Sequence, residues 1–240
     1  MNIDIGLLVL TALSIGCIHT LLGPDHYLPF VAMSAARRWS RGKTLAVTAL
    51  CGAGHVLGSV VIGAIGIAIG VSLHKLEWLE GFRGDLAAWA LIAFGLVYMT
   101  WGLKRAARTR PHTHDHAHAD GTSHRHVHGH THQDEHAHVH LDASSARSIT
   151  PWALFVVFVL GPCEPLIPIL MYPASQHSTL GVVMVVLAFA MATIATMVSV
   201  VYLALLGIDR LPMAAAERYS HALAGAALSL CGMGIVFLGL

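Results

Sequence analysis

The chain has 240 residues, of which 55% are hydrophobic and only 11% are charged, and its mean hydropathy is +0.66. These values lie outside the usual range of soluble domains and predict a protein embedded in a lipid bilayer. The formal net charge of +1 gives no reason to expect a nucleic-acid partner.

The first apolar run has no basic residue before it, which argues against a cleaved signal peptide and favours a first membrane span. Residues 5 to 36 are nearly all apolar, but one straight helix of this length would measure about 50 Å against about 30 Å of hydrocarbon. Gly23 and Pro24 predict a break, because proline has no N–H to donate to the preceding helical turn. Pro29 repeats the effect five residues later.

The predicted break also carries the most polar stretch of this span. Residues 19 to 26 read His-Thr-Leu-Leu-Gly-Pro-Asp-His, which puts two imidazoles and a carboxylate inside apolar sequence. Ionisable groups within a bilayer are costly and are functional by default. We therefore treat His19, Asp25 and His26 as candidate site residues. The alternative is that Asp25 and His26 only cap and hydrogen-bond the broken helix.

A short basic segment leads into a second span, which is rich in glycine and covers residues 44 to 72. Pairs of small residues four apart are typical of close helix packing, and this span has two such pairs: Gly54, Gly58, Gly66 and Gly70. His55 lies in the middle of this surface, either as another site residue or as a satisfied packing residue. A weakly charged loop is expected from residue 73 to 85 and a third span from 86 to 103. Residues 1–103 then form a first repeat of three helices.

Residues 104–150 form a polar segment that we expect in the cytoplasm and that contains twelve of the 18 histidines. Apolar residues are nearly absent, so we expect it to be disordered without ligand. Neutral imidazoles at this density bind divalent metal ions weakly and exchangeably; the alternatives are a solvated linker and a pH-responsive tract. The candidate loop ligands are His112, His114, His116, His118, His124, His126, His128, His130, His132, His136, His138 and His140.

The second half repeats this arrangement. Residues 151 to 173 form a fourth span, interrupted by Gly-Pro-Cys-Glu-Pro at residues 161–165 and again by Pro168. Residues 180 to 206 and 219 to 240 form the fifth and sixth spans. Basic residues in the five successive loops number 4, 2, 6, 0 and 2, which puts the first, third and fifth loops in the cytoplasm. We expect a multi-pass protein of an inner or plasma membrane with both termini outside.

An internal repeat relates the two halves. Residues 22–26 (Leu-Gly-Pro-Asp-His) align with residues 160–164 (Leu-Gly-Pro-Cys-Glu), and the same offset pairs His55 with Thr193. Three spans precede the histidine segment, so the second half enters from the opposite side of the membrane. The expected fold is an all-α polytopic membrane protein with six transmembrane helices in a 3+3 inverted repeat, in which helices 1 and 4 are broken. Residues 151–240 form the second repeat, and paired broken spans point to the central site of a transporter.

The predicted site combines donors from four helices. Imidazole and carboxylate together favour divalent transition metals over hard cations, and two carboxylates offset the metal's charge in a low-dielectric interior. The ion is expected as transported substrate, with no prosthetic group. The candidate ligands are His19, Asp25, His26, His55, Cys163, Glu164 and Thr193.

The residues His19, Asp25 and His26 in an early transmembrane helix resemble the signature of nickel/cobalt permeases, and His55 after a glycine is similar to their second histidine motif. Residues 161–164 resemble segments of a wider superfamily of 3+3 inverted-repeat carriers. It includes nickel/cobalt exporters, urease-accessory membrane proteins, sulfite exporters and membrane thiol-disulfide carriers. The resemblance implies a nickel or cobalt transporter in which the first-helix histidines and Asp25 bind the metal. Those permeases usually have more spans, so this chain looks closer to the shorter branch.

The function that follows is carriage of Ni²⁺ or Co²⁺, with Zn²⁺ also fitting, by alternating access around a site at the middle of the bilayer. We expect a carrier and not an enzyme. The exporters that the chain resembles have a comparable histidine loop, so efflux is favoured over uptake. The sequence leaves open whether the protein is a homodimer.

Three other functions compete with metal transport. A thiol-disulfide carrier would use Cys163, but it needs a second thiol within reach, and the equivalent position holds Asp25. An anion exporter needs arginine, lysine or bare helix N-termini, and the six expected spans contain neither basic residue. A membrane hydrolase is disfavoured because no HExxH motif occurs. The remaining cysteines lie in apolar stretches without a CxxC pair, as buried small residues: Cys17, Cys51 and Cys231.

Overall fold

The computed structural model describes residues 5–108, 112–117, 123–128, 149–208 and 217–239. Helices dominate these ranges, joined by short 3₁₀ turns at Pro24–His26 and Glu217–Tyr219. In chain order the helices are α1 (Ile5–Leu22), α2 (Leu28–Arg37), α3 (Arg41–Ala68), α4 (Leu73–Arg108), α5 (Ile149–Leu160), α6 (Leu166–Ser175), α7 (Thr179–Ile208) and α8 (Ser220–Leu238).

Within the described ranges, five segments are long and apolar enough to cross a membrane. They are α1, α3, α4, α7 and the stretch Glu217–Leu238 that contains α8. Large apolar side chains point outward from this group, among them Leu22, Val97 and Leu203, which are 70%, 68% and 65% exposed. An apolar outer surface of this kind fits a lipid environment and not water. The predicted all-α class and membrane-type helices are confirmed. The predicted fourth span is divided at the predicted interruption into two short helices, α5 and α6.

The first break lies where Gly23 and Pro24 predict it. The helix α1 ends at Leu22, and α2 begins at Leu28 with Pro29 in its first turn. The backbone groups near the break bond within the segment itself, because Gly23 N donates to His19 O at 3.0 Å and His26 N donates to Gly23 O at 3.1 Å. The chain therefore turns without leaving these groups unpaired in an apolar interior.

The glycine pairs of α3 have two different roles. A Cβ on Gly54 would lie 2.8 Å from the Val159 side chain, so the pair formed by Gly54 and Gly58 packs closely against α5 as predicted. The helix ends at Ala68, however, and Gly70 follows it with φ of +70° and no atom near the position of a Cβ. The prediction that Gly70 packs against a helix is wrong, because it occupies the left-handed position that ends helices.

The predicted loop over residues 73 to 85 is also wrong. This stretch is the beginning of α4, a single helix of 36 residues that also contains the predicted third span. Its charged residues Glu80 and Arg83 are three apart and form an ion pair within the helix, and the Glu80 side chain is fully buried. Charged residues favoured a loop in the sequence, but a paired charge is compatible with a buried helix.

The helices pack so that the two breaks meet in the middle. The first half contacts the second through α1 with α7, α3 with α5, α2 with α8 and α4 with α8. One buried apolar cluster includes Phe30 from α2, Phe158 from α5 and Leu228 from α8. A second cluster joins Ala12 of α1, Phe189 of α7 and Cys163 from the break between α5 and α6.

Part of the histidine segment forms a hairpin. Strands β1 (His112–Ala117) and β2 (Ser123–His128) pair antiparallel, with His112 opposite His128, His114 opposite His126 and His116 opposite His124. The sequence predicted no regular structure here; the difference arises because a His-x-His alternation has the two-residue period of a strand. The other six histidines predicted as loop ligands lie outside the described residues: His118, His130, His132, His136, His138 and His140.

Candidate metal centre

Three histidines that are distant in sequence come together at the first break. His19 comes from the last turn of α1, His26 from the turn after it, and His55 from the middle of α3. The ring centroids of His19 and His26 are 4.7 Å apart, and those of His26 and His55 are 5.1 Å apart, in edge-to-face arrangements. His26 thus lies between the other two rings.

All three imidazoles carry a buried Nε2 atom without a hydrogen-bond partner. The Nδ1 atom of His26 lies 3.2 Å from Gly23 O, and that of His55 lies 3.3 Å from Phe158 O. A carbonyl oxygen only accepts, so Nδ1 carries the hydrogen and the Nε2 lone pair of a neutral ring is left free. This tautomer is the one in which a histidine binds metal through Nε2.

Cys163 completes the group from the second break. Donor atoms of His19, His55 and Cys163 all lie within 4.8 Å of one another, and Cys163 is fully buried. Donor atoms around one tetrahedral zinc ion are about 3.3–3.8 Å apart, given ligand bonds of about 2.0–2.3 Å. A modest contraction of these three side chains would therefore enclose one ion.

The other predicted ligands lie around this group in different roles. Asp25 Oδ1 is 3.2 Å from His26 Nδ1, so this carboxylate orients the imidazole from behind. Thr193 is fully buried and its Oγ1 has no partner. Glu164 is exposed on the wall of a cavity, and only its neighbour Cys163 belongs to the three-donor group. The unpartnered Nε2 of His55 also argues against a packing role for that residue.

A cavity of about 530 Å³ leads to the three histidines. Its walls include the carboxylates of Asp25, Asp85 and Glu164, together with Gly81 and Gly239. The helices α4 and α8 run antiparallel, so the beginning of α4 and the end of α8 lie at the same end of the bundle. The cavity extends towards that end, and three acids along its walls favour a cation over an anion.

The opposite end of the bundle, where α4 ends, carries a polar and aromatic cluster. Arg37 Nε donates to Tyr98 Oη at 2.9 Å, and Tyr98 Oη lies 2.8 Å from His221 Nδ1. The Arg37 guanidinium also stacks over the rings of Tyr98 and Trp101, with centroid distances of 5.5 and 5.9 Å. This cluster connects α2, α4 and α8.

A buried network beside Cys163 was missed from the sequence. Ser59 Oγ donates to Glu80 Oε2 at 2.7 Å and accepts from Cys163 N at 2.9 Å. Arg83 pairs with Glu80 and donates to Val159 O at 2.8 Å. Arg83 precedes the predicted third span but belongs to the same helix, and its charge is paired with Glu80. The signal in the sequence was the pair of opposite charges three residues apart, which is typical of a helix.

The four cysteines, all within the described residues, are free thiols. Cys17 accepts a hydrogen bond from the Thr196 hydroxyl at 3.5 Å, whereas Cys163 lies with the histidines. No disulfide or thiol pair supports the thiol-disulfide alternative among these residues.

Comparison with known proteins gives two distant relatives. The chain is 34% identical over 92 residues to Chloroplast protein FOR GROWTH AND FERTILITY 1 of Arabidopsis thaliana, and 32% identical over 92 residues to Chloroplast protein FOR GROWTH AND FERTILITY 2 of the same plant. The match covers 38% of this chain and only 23% of each relative. No family model matches the chain, and no solved structure matches it.

These relatives overturn the resemblance to the nickel/cobalt transporter family. They are plant chloroplast proteins named for growth and fertility, and their names mention neither metal nor anion transport. The resemblance depended on a few histidine, aspartate and glycine positions around helix breaks. Such residues suit cation binding at a broken helix in any membrane protein, so they do not identify a family.

Proposed function

We propose that the protein carries a transition metal ion across a membrane and holds it between His19, His55 and Cys163. The observation that supports this most is the set of three buried Nε2 atoms without partners, on His19, His26 and His55. Buried polar atoms are nearly always hydrogen-bonded, and each exception needs an explanation. A cation bound between His19 and His55 would give two of these atoms a partner, and His26, which carries the third, has its ring between theirs.

The donor set indicates the class of ion. Imidazole nitrogen and thiolate sulfur suit Co²⁺, Ni²⁺, Zn²⁺ and copper better than Mg²⁺ or Ca²⁺, which prefer oxygen. The preference for nickel and cobalt, and for efflux, came from the overturned resemblance. We therefore propose the class of borderline and soft transition metals and no direction. We propose no catalysed reaction.

We also propose that the protein has six spans in two inverted halves, with α5 and α6 together forming the fourth span. In support, α1 packs on α7 as α5 packs on α3, and α2 packs on α8 as α6 packs on α4. The two breaks, which supply His19 and Cys163, meet at the metal centre. In each case a contact between the two halves has an equivalent contact in which the halves are interchanged. Two inverted repeats around one site would produce this pattern.

Access to the site differs between the two ends of the bundle. The cavity with its acidic walls approaches the histidines from one end, while the cluster of Arg37, Tyr98 and His221 joins helices at the other. We propose that the structure corresponds to one arrangement of an alternating-access cycle, in which the end near Arg108 is closed. The basic residues counted in the sequence favour the cytoplasm for that end.

Transport assays in proteoliposomes test the proposal. Purified protein is reconstituted into lipid vesicles that enclose a metal-sensitive fluorophore, and flux of Co²⁺, Ni²⁺ and Zn²⁺ is measured in both directions. We expect His55→Ala to reduce flux to the level of protein-free vesicles. The matched control is His74→Ala, which changes an exposed histidine in the first turn of α4 and should transport normally. Unchanged flux in a folded His55→Ala protein would refute the proposal.

A further inference from the structure

The break between α5 and α6 is held by groups from other helices. The carbonyl of Val159 and the N–H of Cys163 lie at this break and find their partners in Arg83 and Ser59. The first break bonds within its own segment through Gly23, whereas the second adds these two bonds from other helices to internal ones such as Leu166 N to Cys163 O. In a bilayer a backbone group that is freed by a break must be bonded by protein or water. At the second break, side chains of α3 and α4 take that role.

The side chains that bond to this break also bond to one another. Ser59 Oγ donates its hydrogen to Glu80 and accepts one from Cys163 N, and the other carboxylate oxygen of Glu80 accepts from Arg83. Ser59 and Glu80 are fully buried, and the Arg83 side chain is 12% exposed. A buried ion pair adds little net stability compared with apolar packing of the same volume. Its presence beside Cys163 therefore needs a reason other than stability.

Close packing of α3 and α4 also restricts the position of the break between α5 and α6. A Cβ on Gly58 would lie 2.7 Å from Arg83 Nη2 and 3.0 Å from Val159 O, and one on Gly84 would lie 2.8 Å from Pro162. The helices α3 and α4 thus approach the break closely enough for Ser59 and Glu80 to reach its backbone. The direction in which the Cys163 side chain leaves the chain depends on that backbone.

We propose that Ser59, Glu80 and Arg83 are positioning residues that aim the Cys163 thiol at His19 and His55. This inference rests on the proposed metal site and adds to it the residues that present its sulfur donor. Without the Ser59 hydroxyl the Cys163 N–H has no partner, and the break relaxes so that the sulfur leaves the histidines. Metal is then bound by imidazoles alone, with lower affinity and without a metal–sulfur bond.

The test uses the purified full chain and Co²⁺, whose bond to a thiolate gives a charge-transfer absorption band in the near ultraviolet. We expect Ser59→Ala to weaken this band and to raise the Kd for Co²⁺ about tenfold, since a buried N–H loses its partner. Ser59→Thr keeps a hydroxyl and should restore both. Ser229→Ala is the matched control, because Ser229 is also buried but bonds to Ile92 O in another part of the bundle.

A second pair of variants separates positioning from general stability. Cys163→Ser should abolish the band, and adding Ser59→Ala to it should raise the Kd no further, because coupled residues are not additive. Glu80→Gln repeats the test should Ser59→Ala fail to fold. If a folded Ser59→Ala protein keeps the wild-type band and Kd, or if its effect on Kd is equally large without Cys163, the inference is wrong. Failure of wild-type protein to bind Co²⁺ would instead refute the proposed function.

Discussion

Replacing Tyr98 by phenylalanine tests whether the cluster near the end of α4 holds that end of the bundle closed. The change removes one oxygen and leaves the ring, which packs between Phe94 and Trp101, in place. The lost oxygen accepts from Arg37 and shares a hydrogen bond with His221 Nδ1, so one small substitution breaks two bonds that link α2, α4 and α8.

The size of the effect follows from these two bonds. A hydrogen bond from a charged donor contributes about 1.5–3 kcal/mol and a neutral one about 0.5–1.5 kcal/mol. The exposed Arg37 regains water when the bond is lost, which favours the lower end of this range. We expect the closed arrangement to lose about 2 kcal/mol, which is about 30-fold in the equilibrium between closed and open forms.

Hydrogen exchange read by mass spectrometry measures this opening. Amides at the end of α2 and the beginning of α8 should exchange about 30-fold faster in Tyr98→Phe, because exchange reports local opening. Amides of α3 around His55 should be unaffected. Tyr202→Phe is the control, since this tyrosine of α7 is 43% exposed. Equal exchange in both variants, or faster exchange along every helix, would refute a local closing role.

Three further outcomes are expected. Asp25→Asn should weaken metal binding about 10–100-fold in a titration, as loss of an outer-shell carboxylate at a metal site does, because Asp25 orients His26, whose ring packs between His19 and His55; unchanged affinity would rule out this orienting role. Gly225→Ala should lower the thermal midpoint markedly, because its Cβ would lie 2.6 Å from the backbone oxygen of Gly95, whereas Gly207→Ala meets no atom within 4 Å and should not. Deleting residues 112 to 140 should change the apparent transport affinity but leave residual flux. Complete loss of flux would show that this segment is part of the transport pathway.

Sequence reasoning located the breaks and the histidines because both depend on local chemistry. A Gly-Pro pair such as Gly23-Pro24 disfavours continuation of a helix through its own backbone chemistry, and an imidazole in apolar sequence stands out regardless of its neighbours. The meeting of His19 with His55 could be expected from a packing surface rich in glycine on α3. These features needed no knowledge of the tertiary structure.

What the sequence missed depends on partners that are distant in the chain. Glu80 and Arg83 favoured a loop because two charges in a span are costly, and only the positions of Ser59 and Val159 show how the cost is offset. The choice between Cys163 and Glu164 as the inward donor depends on the rotation of the chain at the break. A step of one residue along the chain changes the direction of the side chain completely. No periodic pattern extends through a break to predict which residue points inward.

The two breaks differ in a way that bears on how the site would work. Both segments make backbone bonds within themselves, but the segment that carries Cys163 is also bonded to α3 and α4 through Ser59 and Arg83. Movement of α4 against α1 would therefore separate sulfur from the histidines of the first break. An ion bound by both sets would oppose that separation, so its binding energy would favour the arrangement in which the two breaks meet. Release would then require the same helices to move apart, which is how occupancy of the site would be coupled to the end of the bundle that opens.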